Sequence, residues 1–248
     1  VKIPREAYEA FAGLTSRASL VWAQARKEGD YSLFAPVLKE ILAYKKKFAS
    51  YKAREGQSLY DVMLEEFEEE FPTEKLDRFF GQLKEEIVPL LKRIETEGSP
   101  VAADFLEGDY PEEQQEQLGR FLAEYVGFDF HRGVMAVSAH PFTTALHNHD
   151  VRLTTHYDRW VDHSMFSVIH ESGHGIYEQG IADSLTQTPA GEGTSMGMHE
   201  SQSRFFENMI GRNKAFWEPV YPRVQALFPR QLGGVGLEEF YRAINRVE

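Results

Sequence analysis

The sequence predicts an all-α chain with one minor β element. Apolar residues recur at helical spacing along most of its length, Gly and Pro close the successive runs, and period-two alternation surfaces only between Phe128 and Asp158. From Pro4 to Lys27 the residues Tyr8, Phe11, Leu14, Ala18, Val21 and Trp22 make one helical stripe, and Gly29-Asp30 ends it. A second helix is expected from about Ser32 to Lys52, with Leu38, Ile41, Leu42 and Phe48 along it and Lys45-Lys46-Lys47 as a solvated face. A short helix, Leu59 to Phe67, runs out through acidic residues at Pro72. Thr73 then caps a longer one with Leu76, Phe79, Phe80, Leu83, Ile87, Leu90 and Ile94 turned inward and a bend or break at Pro89. Pro111 is placed as the first residue of a helix reaching Val126.

The alternating pieces Val134 to Ser138 and Val151 to Tyr157 are expected to pair as a small antiparallel ribbon across a turn region from Pro141 to Asp150. Helical pattern returns from Val161 to Gln179. A Gly-rich loop fills 180–198, and another helix starts near His199 and runs to about Gly211. Pro219, Pro222 and Pro229 are expected to break up the tail before an amphipathic piece at Leu237 to Ile244. Taken together, 1–127 is a helical scaffold, 128–158 the β element and 159–248 the metal-site helices.

The chain has 248 residues, enough for one substantial core or two small domains. A formal net charge of -12 argues against a nucleic-acid surface, which wants clustered Lys and Arg. With no Cys there is no disulfide framework, thiolate nucleophile or Cys-ligated metal, which fits a cytoplasmic protein. No apolar run is long enough to span a membrane, and Val1-Lys2-Ile3-Pro4-Arg5 does not begin a signal peptide. The start at Val1 and the stop at Glu248 suggest a piece of a longer protein.

The chemistry concentrates in Val168-Ile169-His170-Glu171-Ser172-Gly173-His174. On a helix, residues four apart stand on one face, so His170 and His174 can reach a single metal ion. Glu171 lies beside that ion and outside its ligand set, where a general base for water must sit. Gly173 and Gly175 each cost about 1 kcal/mol against Ala in a helix interior, which points to close approach by another element. A catalytic zinc site takes about three protein ligands and one open position. Glu178, one turn past His174, would have to fold back past it. Glu200, after the loop in His199-Glu200-Ser201-Gln202, comes from a second helix that it opens, where the helix dipole also favours an anion, so it is preferred to Glu178 or His199. Ser201, Arg204 and Glu207 follow at helical spacing as candidates to hydrogen-bond and orient the ligands. Arg152, in an extended segment, would either hold peptide substrate or pair with Asp150.

Four blocks in order, His140-Pro141-Phe142, Asp150-Val151-Arg152-Leu153-Thr154-Thr155, His170 to Gly180 and His199-Glu200-Ser201-Gln202-Ser203-Arg204, resemble the carboxypeptidase Taq family of metal-dependent carboxypeptidases. The resemblance runs from about Leu59 to the end of the chain. It implies an elongated helical fold of the neurolysin and angiotensin-converting-enzyme type. It also implies a cytoplasmic homodimer that removes single C-terminal residues with broad preference, using Zn2+ or a substitute such as Co2+. On this sequence it makes His170, His174 and Glu200 the metal ligands and Glu171 the base, with His140, Asp150, Arg152 and Thr154 lining the peptide groove. Two features depart from the family pattern. His156 stands where many members carry Arg, and members are roughly twice this length, with the Arg and the Tyr or His that grip the substrate beyond Glu248. The alternatives are a helical zinc oligopeptidase or endopeptidase, and an inactive metal- or peptide-binding helical module.

Overall fold

Long amphipathic helices dominate the computed structural model, which describes residues 2–247 and divides into two compact units, Val1–Ile94 and Glu95–Glu248. In the first, α1 (Arg5–Glu28) and α2 (Tyr31–Lys52) are joined by Gly29 and Asp30, and the Asp30 carboxylate accepts from Ser32 N to start α2. Leu14, Ala18, Ala25, Phe48 and Ala49 are buried, and Phe11, Tyr44 and Phe48 cluster with ring centroids 5.2–5.9 Å apart. After α3 (Leu59–Leu64) comes α4 (Thr73–Glu97), which differs from the sequence expectation in three ways.

Thr73 is the first helical residue and its hydroxyl donates to Asp61 Oδ1, so its side chain ties α4 to α3 and does not cap. Of the bend or break expected at Pro89, the break is absent: the helix runs through it. The apolar stripe is not turned inward: Phe79, Phe80, Leu83, Ile87, Leu90 and Ile94 are exposed, and α4 buries none of its described side chains.

The second unit is built around one helix. α5 (Glu112–Val126), with Pro111 as its cap residue, leads into β1 (Gly133–Val137), β2 (Thr143–His147) and β3 (Asp150–Thr155). The strand order is β1-β3-β2. The two expected pieces do pair with each other, but in the opposite sense and with a further strand beside them. β1 pairs β3 in parallel, with Val134 opposite Arg152, and the expected turn region contains β2, which pairs β3 antiparallel. A parallel pair needs a crossover, and here the crossover segment supplies the third strand.

Against this sheet and α5 packs α6 (Val161–Gln179), mostly buried, with an open stripe that runs from His163 through Ser167, His170 and His174 to Glu178. Leu118, Leu122, Val151, Leu153, Met165, Val168 and Ile169 form the core beneath it. α7 (Met196–Arg204) crosses α6 and passes into a π-helical turn at Phe205–Ile210. Then α8 (Lys214–Leu227) carries both Pro219 and Pro222 without interruption, and α9 (Pro229–Leu232) and α10 (Leu237–Ile244) complete the unit. Trp217, Phe228, Phe240 and Ile244 are fully buried there. No helix among the described residues is long and apolar enough to cross a membrane.

The α6–α7 crossing is set by Gly173. A Cβ at that position would stand 2.7 Å from Ser203 Cα and 2.9 Å from the Gln202 carbonyl oxygen, both backbone atoms of α7. At Gly81 in α4 an added Cβ would meet nothing. Helix propensity alone would make Ala favourable at both positions. We expect Gly81→Ala to stabilise the protein by about 0.5–1 kcal/mol, and Gly173→Ala to destabilise it by about 1–3 kcal/mol because the helix crossing cannot close. Urea midpoints of the two variants decide it. Equal stabilisation by both would reject the close-approach account.

Candidate metal centre

Helical phase brings the two imidazoles together as the spacing requires: the rings of His170 and His174 lie 5.0 Å apart on the open stripe of α6. Glu200 reaches them from α7. Its Oε2 is 3.6 Å from His170 Nε2 and 3.4 Å from His174 Nε2, and the three donor atoms lie within 4.8 Å of one another. These separations are long for hydrogen bonds. They suit a shared ion, since two ligand atoms each about 2.1 Å from a tetrahedral metal stand about 3.4 Å apart. The residues present therefore fit a divalent metal.

Each donor is held from behind. His170 Nδ1 faces Glu207 Oε2 at 2.8 Å, and His174 Nδ1 faces His199 Nδ1 at 2.6 Å. Both Nε2 atoms are thus left for the metal. Glu200 Oε1 accepts from Arg204 Nε at 2.8 Å, and its Oε2 accepts from Ser203 Oγ at 3.1 Å. Glu207 comes into reach from the π-helical turn, where Gly211 N donates to Phe206 O across five residues.

Glu171 is buried, 7% exposed, with its Oε2 accepting from the Thr143 hydroxyl on β2 at 2.6 Å. Among the described residues no side chain bonds its other oxygen. Burial raises the Glu171 carboxyl above its ordinary range, against the opposing pull of Thr143 and His170. Burial above all drives His174 down to about 4, so it stands neutral and ready to ligate. For His170 burial acts downward, but the Glu207 bond and the charges of Glu171 and Glu200 outweigh it and raise the imidazole.

Of the other residues predicted from sequence, Arg204 and Glu207 join the centre, Arg204 bonding both Glu200 and Glu207. Ser201 does not, because its hydroxyl donates to the Met198 carbonyl of its own helix, and the serine that reaches Glu200 is Ser203. Glu200 does not open α7. The helix begins at Met196 and is capped by the Ser195 side chain, so Glu200 sits a turn inside, away from the terminal dipole. His140 is exposed and near enough for its charge to act on Glu171. Asp150 and Arg152 make a two-bond ion pair, 2.8 Å each, and His156 Nδ1 lies 3.2 Å from the Ser138 carbonyl oxygen. Thr154 is buried, and its hydroxyl fixes Ser138 and Phe142. Sequence reasoning missed Thr143, Ser203 and the placement of His199 behind His174. Ser203, three residues past Glu200, carried a usable signal in its spacing; Thr143 carried none.

Two histidines, one glutamate and a buried carboxylate beside them make the layout of a metallohydrolase centre. The chain belongs to the carboxypeptidase Taq (M32) metallopeptidase family, whose model matches residues 1–248. It is 40% identical over 245 residues to carboxypeptidase 1 of Bacillus subtilis, covering 98% of this chain and 49% of that protein. It is 36% identical over 255 residues to thermostable carboxypeptidase 1 of Thermus thermophilus, covering 99% and 50%. A crystal structure of an M32 carboxypeptidase from Deinococcus radiodurans R1 superposes with a TM-score of 0.87 at 36% identity, over 100% of this chain and 50% of that one. Trypanosoma cruzi metallocarboxypeptidase 1 gives 0.82 at 33% identity with the same coverage. The chain spans about half the length of the curated relatives it matches.

The His170–Glu207 contact makes a pH-dependent prediction for the metal-free protein. His170 is raised above its usual 6.5, so its share of the stability is complete below that pH and is lost as pH rises through the raised value. Glu207 is held below its usual 4.5: burial opposes this, but bonding to His170 and the charges of His170 and Arg204 prevail. Its share is therefore present above 4.5 and lost as pH falls through the lowered value. The stability gap between the metal-free protein and its Glu207→Gln variant should be widest between roughly pH 4.5 and 6.5. Denaturant midpoints across pH measure this, and a gap independent of pH would refute the ion-pair description.

Proposed function

We propose that this chain forms the metal-binding part of a zinc-dependent carboxypeptidase that releases C-terminal residues from peptides with broad side-chain tolerance. One observation carries the reading: Glu200 Oε2 stands 3.4 and 3.6 Å from two imidazole nitrogens that are held from behind, with the buried carboxylate of Glu171 next in sequence to His170. Family membership supports peptide hydrolysis as the reaction. His170, His174 and Glu200 would hold the ion, with Co2+ or another divalent ion as a substitute. When bound, the metal supplies Lewis acidity that makes water nucleophilic near neutral pH and steadies a developing oxyanion.

The chain's own residues do the rest. Glu171, one oxygen anchored by Thr143, takes a proton from the attacking water on its other oxygen. It then returns that proton to the departing amine, so no covalent intermediate is needed. Thr143 keeps the carboxylate from swinging toward the imidazoles. Glu207 and Arg204 keep the ligand cluster from collapsing into direct hydrogen bonds. The same reading takes the full-length protein as a cytoplasmic homodimer acting on peptides.

Exopeptidase action needs a cation to recognise the free α-carboxylate. Arg152 is committed to Asp150, and Arg204 to Glu200 and Glu207. Neither is spare, which supports assigning the gripping Arg to sequence beyond Glu248.

In the full-length protein, Glu171→Gln should keep its metal and lose about 10²–10⁴-fold in turnover, because only proton transfer is removed. Elemental analysis beside peptide-hydrolysis rates tests this, and near-normal turnover would favour an inactive module or another base. The full-length protein should also shorten a peptide one residue at a time from its C-terminus and act far more slowly on the same peptide amidated there. Mass spectra of timed digests measure it. Internal cleavage at equal rates on both peptides would instead identify an oligopeptidase.

A further inference from the structure

The two histidine ligands are supported differently. His170 meets a carboxylate directly, whereas His174 meets a second imidazole. His174 Nδ1 is 2.6 Å from His199 Nδ1, and His199 Nε2 is 2.6 Å from Glu178 Oε1. Hydrogen-bond chemistry allows one arrangement compatible with metal binding. His174 must present a bare Nε2 to the ion, so its Nδ1 carries the proton and donates. His199 Nδ1 must then be the bare acceptor, and its own proton sits on Nε2 and is donated to Glu178. The relay has a single direction and ends on a carboxylate.

The surroundings hold the middle ring in place. Tyr177 meets His199 edge-on at 5.1 Å, and His174 lies 4.7 Å from it, centroid to centroid. On a further side is Gly193, from the loop after α6. A Cβ there would come within 2.6 Å of His199 Cδ2. No other residue type leaves room for the ring, so the loop backbone itself acts as a wall.

We propose that His199, fixed by Glu178 and seated against Gly193, is a positioning residue that sets the tautomer and ring plane of His174 for metal binding. This rests on reading His170, His174 and Glu200 as the metal ligands. His199 does not touch the ion or the substrate. It replaces, at one remove, the carboxylate that His170 has directly from Glu207. Glu178 thereby gains a role that its place one turn past His174 could not give it as a ligand.

The test uses the full-length protein, with zinc affinity measured by competition against a chromophoric chelator and the ligand field read from the visible spectrum of the Co2+-substituted protein. His199→Phe keeps an aromatic ring in the Tyr177 and Gly193 seat but offers no acceptor. It should weaken zinc binding about 10–100-fold and alter the cobalt spectrum, while the metal-free protein keeps its melting temperature. His199→Gln restores an acceptor oxygen and should recover most of the affinity. Glu178→Gln, whose amide oxygen still accepts from Nε2–H, should lose less than Glu178→Ala. Zinc binding by His199→Phe within about twofold of the parent, with an unchanged cobalt spectrum, would overturn the proposal. So would a Gln variant no better than Phe, since packing alone would then explain the loss. Failure of the parent protein itself to bind zinc would reject the metal-centre reading, and the proposal with it.

Discussion

The close crossing of α6 and α7 at Gly173 is the constraint on which the centre depends. His170 and His174 are placed by the pitch of one helix, but a third donor must come from elsewhere, and Glu200 is on the helix that passes Gly173. With the backbone of Gln202 and Ser203 lying against α6, the Glu200 carboxylate falls opposite the gap between the imidazoles. The same approach brings Ser203 into the buried layer, where its hydroxyl orients Glu200. The absent side chain at Gly173 thus fixes a distance that no hydrogen bond in the cluster could set alone.

A cluster of acids this dense needs compensation. Glu171, Glu178, Glu200 and Glu207 surround three imidazoles, and Arg204 bridges Glu200 to Glu207. Arg212 stands 3.8 Å from Glu207 on its other side, with its guanidinium over the Phe166 ring. Every one of these acids has a hydrogen-bond partner among the described residues. The π-helical turn serves this arrangement: it widens the helix where Glu207 must face His170 while Arg204, on the turn before, still faces Glu200. The cost of gathering so many charges is met locally, which leaves the imidazole Nε2 atoms and Glu171 for chemistry.

How much of this was legible in the sequence depends on the range of the interaction. The extents of α1, α6 and α10 follow from periodicity and end signals within the segment itself, and the structure reproduces them to within a residue or two. Helical spacing and the need for a donor on a second element led to His170, His174 and Glu200, and the structure brings donor atoms of these three within 4.8 Å of one another. The partner strands were foreseen but their sense was not, because the alternation in Val134 to Ser138 and Val151 to Tyr157 cannot say whether they pair in parallel, or that the segment between them supplies another strand. Breaks were over-read at Pro219 and Pro222, and of the bend or break expected at Pro89 the break is absent, since these helices continue through. Periodicity correctly found the stripe on α4 but could not say whether anything covers it. Thr143 was invisible for a similar reason: a threonine in an unforeseen strand becomes an anchor for Glu171 only through the packing of the sheet on α6.

The two ligand supports also explain why residues with little motif value in themselves sit where they do. A carboxylate bonded to imidazole Nδ1 raises the ring's affinity for any cation, proton included, and His170 beside Glu207 is raised accordingly. On the proposed reading a neutral His199 in the same position orients the ring without adding charge, and His174 is driven down to about 4 chiefly by burial. The two rings thus differ in how readily each takes a proton, His170 more and His174 less. On the proposed reading, placing Glu178 one imidazole farther back keeps an orienting effect on His174 while its charge stays behind His199.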